Sequence, residues 1–308
     1  MSPPPLSDRR RFLALSAAAL GATAFPDRRQ VMAAEAAEAA SPYQFCTFTK
    51  ALQPMSFSEM AKALSAMGFN GVESAVRPGG SVEPERVADD LPRLVEALAA
   101  EKMTLMIATS GINEVSEAQR TEAVLRTAAA LGVPRFRMNY YKYDLGKPIR
   151  PQLNDFRAKL KDLVALTDEI GIKPIYQNHS GKDYFGAPLW DLGEVFEDYR
   201  PEQIGVAFDI GHATVEGAKC WPLHFALIRP YLDTVYVKEP TWQDNKLGWG
   251  PLGAGAVDPG FYPLLKKSGF AGPISLHVEY LGHDQAEIVP QVLAAIAKDF
   301  QTLQGLLA

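Results

Sequence analysis

A single (β/α)8 TIM barrel is the fold this chain predicts, and three observations predict it. Short apolar runs alternate eight times with longer helical patterns over roughly 260 residues, the size and rhythm of such a barrel. Polar and ionisable residues collect at the C-terminal ends of the apolar runs, where barrels carry their chemistry. No Gly-x-Gly-x-x-Gly turn follows the first run, as it usually does in the competing doubly wound open sheet.

The elements follow in order. Residues 43–48 read as the first strand. The helix after it opens at Ser56, with Glu59 three residues on as a capping box, and stops before Gly68. A second strand at 71–74 leads to a helix at 87–100, whose Leu91, Leu94, Val95 and Leu98 recur at helical spacing. Strands at 104–108 and 135–139 are followed by helices at 116–131 and 153–170. The second half repeats the pattern, with strands at 173–177, 204–209, 234–238 and 272–279. Their helices are expected at 190–199, 221–232, 259–267 and 285–303. Between the seventh strand and its helix, residues 239–256 form a long segment rich in Gly and Trp, read as a lid or binding loop. No linker interrupts the pattern, so 41–308 is one domain.

Residues 1–40 stand apart. Arg9-Arg10-Arg11-Phe12-Leu13 precedes an Ala/Leu/Gly stretch, and small residues run from Ala33 to Ala40. This resembles a twin-arginine export signal, with Asp8 where Ser or Thr is more usual. The apolar run is about half of the ~20 residues that span a bilayer, so no membrane anchor is expected. Cleavage between Ala34 and Ala40 and a periplasmic mature protein are the expectations. A net charge of −5 without a long basic run argues against a nucleic-acid surface. Cys46 and Cys220, far apart and the only two cysteines, make neither a disulfide framework nor a thiol metal site; two unpaired buried thiols are expected, with a single long-range bridge as the alternative.

The strand ends carry Glu73, Arg137, Asn139, Gln177, His179, Asp209, Lys238 and Glu279. Strand side chains alternate with period two, which puts Gln177 with His179, Tyr236 with Lys238, and His277 with Glu279. Carboxylates that converge repel one another unless a cation sits between them. That cation is either a metal ion or Lys238.

The strand ending Phe208-Asp209-Ile210-Gly211-His212, the Val237-Lys238-Glu239 of strand seven and the His277-Val278-Glu279 of strand eight resemble the xylose isomerase-like barrel family, in its sugar isomerase/epimerase branch. The resemblance covers about Tyr43 to Leu303. It implies one divalent ion, manganese first and zinc or magnesium next, bound by Glu, Asp, His and Glu from strands five to eight. Asp209 and Glu279 match the second and fourth ligands, and His212 matches a histidine that contacts substrate. Two positions depart: Gln177 stands at the strand-five Glu, and Tyr236 at the strand-seven His. His277 or His179 is then the imidazole that could complete the site, and the expected metal set is Gln177, Asp209, Glu279 and His277. The nuclease branch needs a multi-histidine zinc site, which five histidines and no basic phosphate surface do not supply.

The implied chemistry is proton abstraction beside a sugar carbonyl: isomerisation, epimerisation, or elimination and hydration of a keto-sugar. Glu279 or His179 is the expected base, with Lys238 as a further catalytic group. Gln177 cannot shuttle protons, which favours a one-base reaction. Arg137, Asn139, Glu73 and His212 are expected to bind substrate. Trp242 is expected to stack on the sugar, as Tyr140, Tyr141, Trp190 and Trp249 could. A Schiff-base role for Lys238 is disfavoured, because Asp209 and Glu239 would raise its pKa. The rival from another class is an exported, non-catalytic sugar-binding barrel. The expected partner is a small carbohydrate, and a homodimer is an open assembly.

Overall fold

The computed structural model describes residues 42–283 and 285–308. The expected export segment, 1–40, lies outside the described residues. From Tyr43 onward the chain forms one compact unit, a closed barrel of eight parallel strands. These are β1 (Gln44–Phe48), β2 (Gly71–Val76), β3 (Thr104–Ser110), β4 (Arg135–Arg137), β5 (Lys173–Gln177), β6 (Gly205–Asp209), β7 (Leu232–Val237) and β10 (Pro273–Leu276). The first and last close the ring, with Gln44 opposite Pro273 and Thr47 opposite Leu276.

Nine helices lie among the described residues: α1 (Phe57–Met67), α2 (Val87–Ala100), α3 (Thr121–Ala130), α4 (Ile149–Ile170), α5 (Trp190–Phe196), α6 (Ile210–Gly217), α7 (Trp221–Ile228), α8 (Phe261–Lys267) and α9 (Val289–Leu307). The capping box at α1 forms as expected, with Ser56 and Glu59 bonded in both directions and Gly68 left-handed at φ 95°. Both thiols are free, but only Cys46 is buried; Cys220, in the 3-10 turn before α7, is exposed, contrary to expectation. Among the described residues no helix is long and apolar enough to cross a membrane.

Strand alternation builds two cores. Val206 and Phe208 on β6, and Ile274 and Leu276 on β10, belong to the large core under the helices. The in-between positions line the barrel, where Cys46, Met106, Ile107, Ile175, Ala207 and Tyr236 form a separate apolar plug. Two residues further along the same faces, Ile175 gives way to Gln177 and Ala207 to Asp209. The period-two rule therefore carries each lining from apolar floor to polar mouth.

Several boundaries differ from expectation, each for a local reason. α3 begins at Thr121, not 116, because the Thr121 hydroxyl accepts from the Ser116 backbone and donates to Glu114 O, and Arg120 sits at φ 50°. α7 gives way to a 3-10 turn at Arg229–Tyr231, which contains Pro230. The eighth barrel strand ends at Leu276, although His277 N still donates to Val237 O at 2.9 Å.

An unexpected helix, α6, starts immediately after Asp209. The expected loop at 239–256 instead contains an antiparallel hairpin, β8 (Glu239–Gln243) with β9 (Lys246–Gly250). Asp244 and Asn245 at its tip both have positive φ, 50° and 59°, the pair of left-handed residues that two-residue hairpin turns require.

Candidate active site

The end of β6 organises the mouth. Asp209 Oδ1 accepts the His212 N–H at 3.0 Å and so caps α6, while Oδ2 accepts from Gln177 Nε2 at 2.6 Å and faces Lys238 Nζ at 3.3 Å. One oxygen of Asp209 thus serves the helix and the other faces the mouth. Asn178 fixes the strand end with two bonds, from Asp209 N to its carbonyl and from its amide to Asp209 O. Gly211 is needed for the same assembly. A Cβ there would come within 2.8 Å of Lys238 Cγ and 2.9 Å of its carbonyl oxygen, so only glycine lets β7 pass this close to α6.

Lys238 is buried between two carboxylates, with Glu279 Oε2 at 3.0 Å and Asp209 Oδ2 at 3.3 Å. Its ammonium also stands 4.6 Å from the ring centre of Trp249 at the base of the hairpin. Burial alone would lower the Lys238 pKa, but the two carboxylates outweigh it and raise it. Burial alone would raise Glu279, and the charge of Lys238 instead brings it down to about 2. The pair is therefore ionised at neutral pH. An ammonium has three N–H donors; one is bonded to Glu279 and Asp209 is an ion-pair partner, so a donor remains for a ligand.

His179 faces the same space. Its Nδ1 donates to the Ser180 carbonyl at 2.8 Å, since a carbonyl can only accept, and this leaves the lone pair on Nε2. Burial, then the nearby Lys238 charge, push its pKa down to about 4, so the ring is neutral at pH 7. His212 lies behind it, ring centres 3.9 Å apart and planes tilted by 41°, with Nδ1 bonded to the Ser180 hydroxyl at 2.7 Å.

Glu73 forms a second centre, fully buried. Oε1 accepts from Thr109 (2.5 Å) and Tyr236 (3.0 Å), Oε2 from Ser275 (2.8 Å) and His277 Nε2 (3.0 Å), and Arg137 stands 3.9 Å away. Burial would raise its pKa, and His277, Arg137 and these bonds hold it below the usual range instead. Arg137 also donates to Tyr140 and, at 2.9 Å, to Gln177 Oε1, which accepts the Tyr140 hydroxyl at 2.6 Å.

A polar cavity of about 170 Å³ opens between the two centres, lined by Glu73, Arg137, Gln177, His179, Lys238, His277 and Glu279 together with Phe48, Lys50, Arg77 and Tyr140. A neighbouring space of about 240 Å³ shares Phe48, Lys50 and Glu279 and adds Trp249 and His283. Seven of the expected site residues thus meet in one place. Three expected substrate contacts do not line it. Asn139 is exposed and accepts the Tyr140 N–H. His212 is shielded behind His179. Trp242 is carried toward the hairpin tip, beside Thr214 and Trp221, and Trp249 holds the place expected of it. Reading the residues missed Thr109, Ser275, Asn178, Lys50 and Arg77. Of these, Ser275 was within reach, since it shares the period-two face of His277 and Glu279.

A description of xylose isomerase-like TIM barrels matches residues 61–298. The chain belongs to that family. No curated protein sequence matches it. Among solved structures it resembles a probable 3-DHS dehydratase of Bacillus anthracis, at 14% identity and TM-score 0.67 over 85% of this chain and 98% of that one. It also resembles a D-psicose 3-epimerase of Clostridium cellulolyticum (11%, TM-score 0.66, 86% and 99%) and a 3-keto-D-glucoside 4-epimerase of Escherichia coli (15%, 0.62, 84% and 99%). Likenesses at these identities establish the fold.

The divalent ion implied by the resemblance does not fit the residues present. Gln177 turns its oxygen to Arg137 and Tyr140 and its amide to Asp209, so it offers no oxygen beside the carboxylates. His277 is committed to Glu73, not to Asp209. The place between Asp209 and Glu279 is filled by the Lys238 ammonium. Among the described residues no three His, Cys, Asp or Glu side chains gather to hold a metal. The expected set of Gln177, Asp209, Glu279 and His277 is corrected accordingly: Lys238 takes the cation's position.

Proposed function

We propose that this protein is an enzyme of small carbohydrates that moves a proton beside a carbonyl, with Lys238 as the fixed positive charge and His179 as the base. One observation carries the reading: a neutral imidazole with its lone pair on Nε2 and a buried ammonium with one unused N–H line the same cavity. The remaining Lys238 donor holds the carbonyl oxygen and stabilises the negative charge that grows on it as the neighbouring C–H ionises. His179 Nε2 takes that proton, and its depressed pKa keeps it unprotonated and ready at neutral pH. Glu279 keeps Lys238 charged and in place. Glu279 Oε2 is already engaged by the Lys238 ammonium at 3.0 Å, whereas His179 Nε2 has its lone pair available, which moves the base role from Glu279 to His179.

Carbohydrate specificity is supported by the family and by the sugars named with similar structures, D-tagatose and D-psicose among them. Return of a proton to the same carbon on its opposite face, return to the neighbouring carbon, or loss of a β-hydroxyl would give epimerisation, isomerisation or elimination. The one-sided base favours the last two. Export and a periplasmic location remain part of this reading, resting on Arg9-Arg10-Arg11-Phe12-Leu13.

The test is solvent exchange. Protein incubated in deuterium oxide with a panel of ketoses is expected to place deuterium at the carbon next to the carbonyl, and His179→Gln is expected to slow this about 10²-fold or more. Ligand binding without exchange, across the panel, would return the chain to the binding-only rival.

A further inference from the structure

The cavity is not evenly neutralised. At its floor each cation has a carboxylate: Lys238 has Asp209 and Glu279, and Arg137 has Glu73. At its rim Lys50 and Arg77 line the same space, and among the described residues no carboxylate lies within 4.0 Å of either. The lining holds four cations, Lys50, Arg77, Arg137 and Lys238, against two carboxylates, Glu73 and Glu279, with Asp209 behind Lys238 as a third.

Position makes the surplus deliberate in the fold. Lys50 lies in the 3-10 turn that follows β1, and Arg77 is the first residue beyond β2, so adjacent strands present both at the mouth. Arg77 lies 6.0 Å from the ring centre of Phe48, which shields one side of the guanidinium from water. Burial, and next the like charge of Arg137, hold its pKa below the usual guanidinium range. A partly desolvated cation beside a like charge is stabilised by an anion placed between them.

We propose that Lys50 and Arg77, with Arg137 behind them, form an oxyanion subsite, so that the substrate is a carboxylate-bearing sugar derivative rather than a neutral sugar. The Arg77 fork matches two carboxylate oxygens side by side, and Lys50 adds a point charge. Phosphate is the lesser fit, because among the described residues that line the cavity there is no glycine and no α-helix N-terminus. The glycine-rich turns nearby have their N–H groups engaged: beside Arg77, Gly79 N donates to Glu83 Oε1 at 2.9 Å and Gly80 N to Arg77 O at 2.8 Å, and at Gly253-Ala254-Gly255 the Glu239 carboxylate accepts from Gly253 N and Val257 N at 2.8 Å each. This subsite deepens the proposed function, since it fixes the far end of the substrate whose carbonyl lies at Lys238.

Calorimetric titration with D-glucuronate, D-glucose and D-glucose 6-phosphate tests it. Glucuronate is expected to bind roughly tenfold or more tightly than glucose, the gain typical of charge-assisted hydrogen bonds. Arg77→Gln should reduce that ratio toward one and Lys50→Gln should reduce it less, with circular dichroism confirming that both variants fold. Equal affinity for glucuronate and glucose, no binding of either, or a ratio unchanged in Arg77→Gln overturns the proposal. Preference for the phosphate over glucuronate overturns the carboxylate assignment. Deuterium exchange into neutral ketoses without anion preference would remove the subsite and leave the proposed proton transfer standing.

Discussion

Glu73 and the Asp209–Glu279 pair sit at the mouth of one barrel, and both are carboxylate centres facing cations, Glu73 and Asp209 buried and Glu279 exposed. They differ in what remains unspent. Each Glu73 oxygen accepts two hydrogen bonds, from Thr109 and Tyr236 on one side and from Ser275 and His277 on the other. The donors come from β3, β7 and β10 and the segment just beyond it, so this carboxylate stitches three other strands to β2. At the second centre the carboxylates are partly engaged, and the cation between them keeps a donor free. A saturated centre holds the barrel's shape. An unsaturated one, in a cavity, can bind.

The sharpest way to break this contrast is at the saturated centre. Glu73→Ala leaves Arg137 and several buried donors unmatched and should lower unfolding free energy by about 3–5 kcal/mol. An unchanged urea midpoint would deny the hub its structural role. Lys238→Met strikes the other centre. The exchange rate should fall about 10²–10³-fold, the usual effect of removing one donor to a developing oxyanion. A rate within a few-fold of the parent would show that the ammonium takes no part.

Gly211→Ala should act on geometry alone, since the added methyl pushes against Lys238 from 2.8 Å. A cost of about 1–3 kcal/mol is expected, together with reduced exchange. An alanine variant as active and as stable as the parent would mean that β7 and α6 can part freely.

Smaller effects separate the centres by pH and by metal. His179 titrates near 4 in the fold against 6.5 in a free chain, so between these values the unfolded state binds more protons. Its contribution therefore makes stability rise with pH across that window, and it is lost as pH falls from 6.5 toward 4. His179→Gln should flatten this part of the stability profile, measured by denaturant unfolding at a series of pH values. The smallest expected effect is none: with Lys238 between the carboxylates, adding manganese or a chelator should leave the melting temperature unmoved. A clear upward shift with manganese would place an ion in the site.

The barrel was legible because its period was strong. Period-two alternation put Gln177 with His179 and His277 with Glu279, and all four line one cavity. Lys238 between Asp209 and Glu279 was one of two readings that charge repulsion allowed, and side-chain geometry chose it. The Glu73 hub was not legible. Its partners lie 36, 163, 202 and 204 residues away, and only the closed sheet brings them together. The hairpin was hidden for a different reason: Asp244-Asn245 is a turn signal, but glycine-rich surroundings disguised two short strands as loop. That error also misplaced Trp242, because a hairpin sends one tryptophan outward and keeps the other at its base.

The tryptophan at the base has a use beyond packing. Trp249 lies against the Lys238 ammonium and edge-on to His212, 5.2 Å between ring centres, whereas Trp190 and Trp242 are exposed and Trp221 is buried elsewhere. Its indole emission senses the charge beside it, so whatever draws Lys238 toward an incoming carbonyl alters the fluorescence of one identifiable ring. With the other three tryptophans replaced by phenylalanine, the protein would carry its own optical gauge of pocket occupancy, readable before any substrate has been converted.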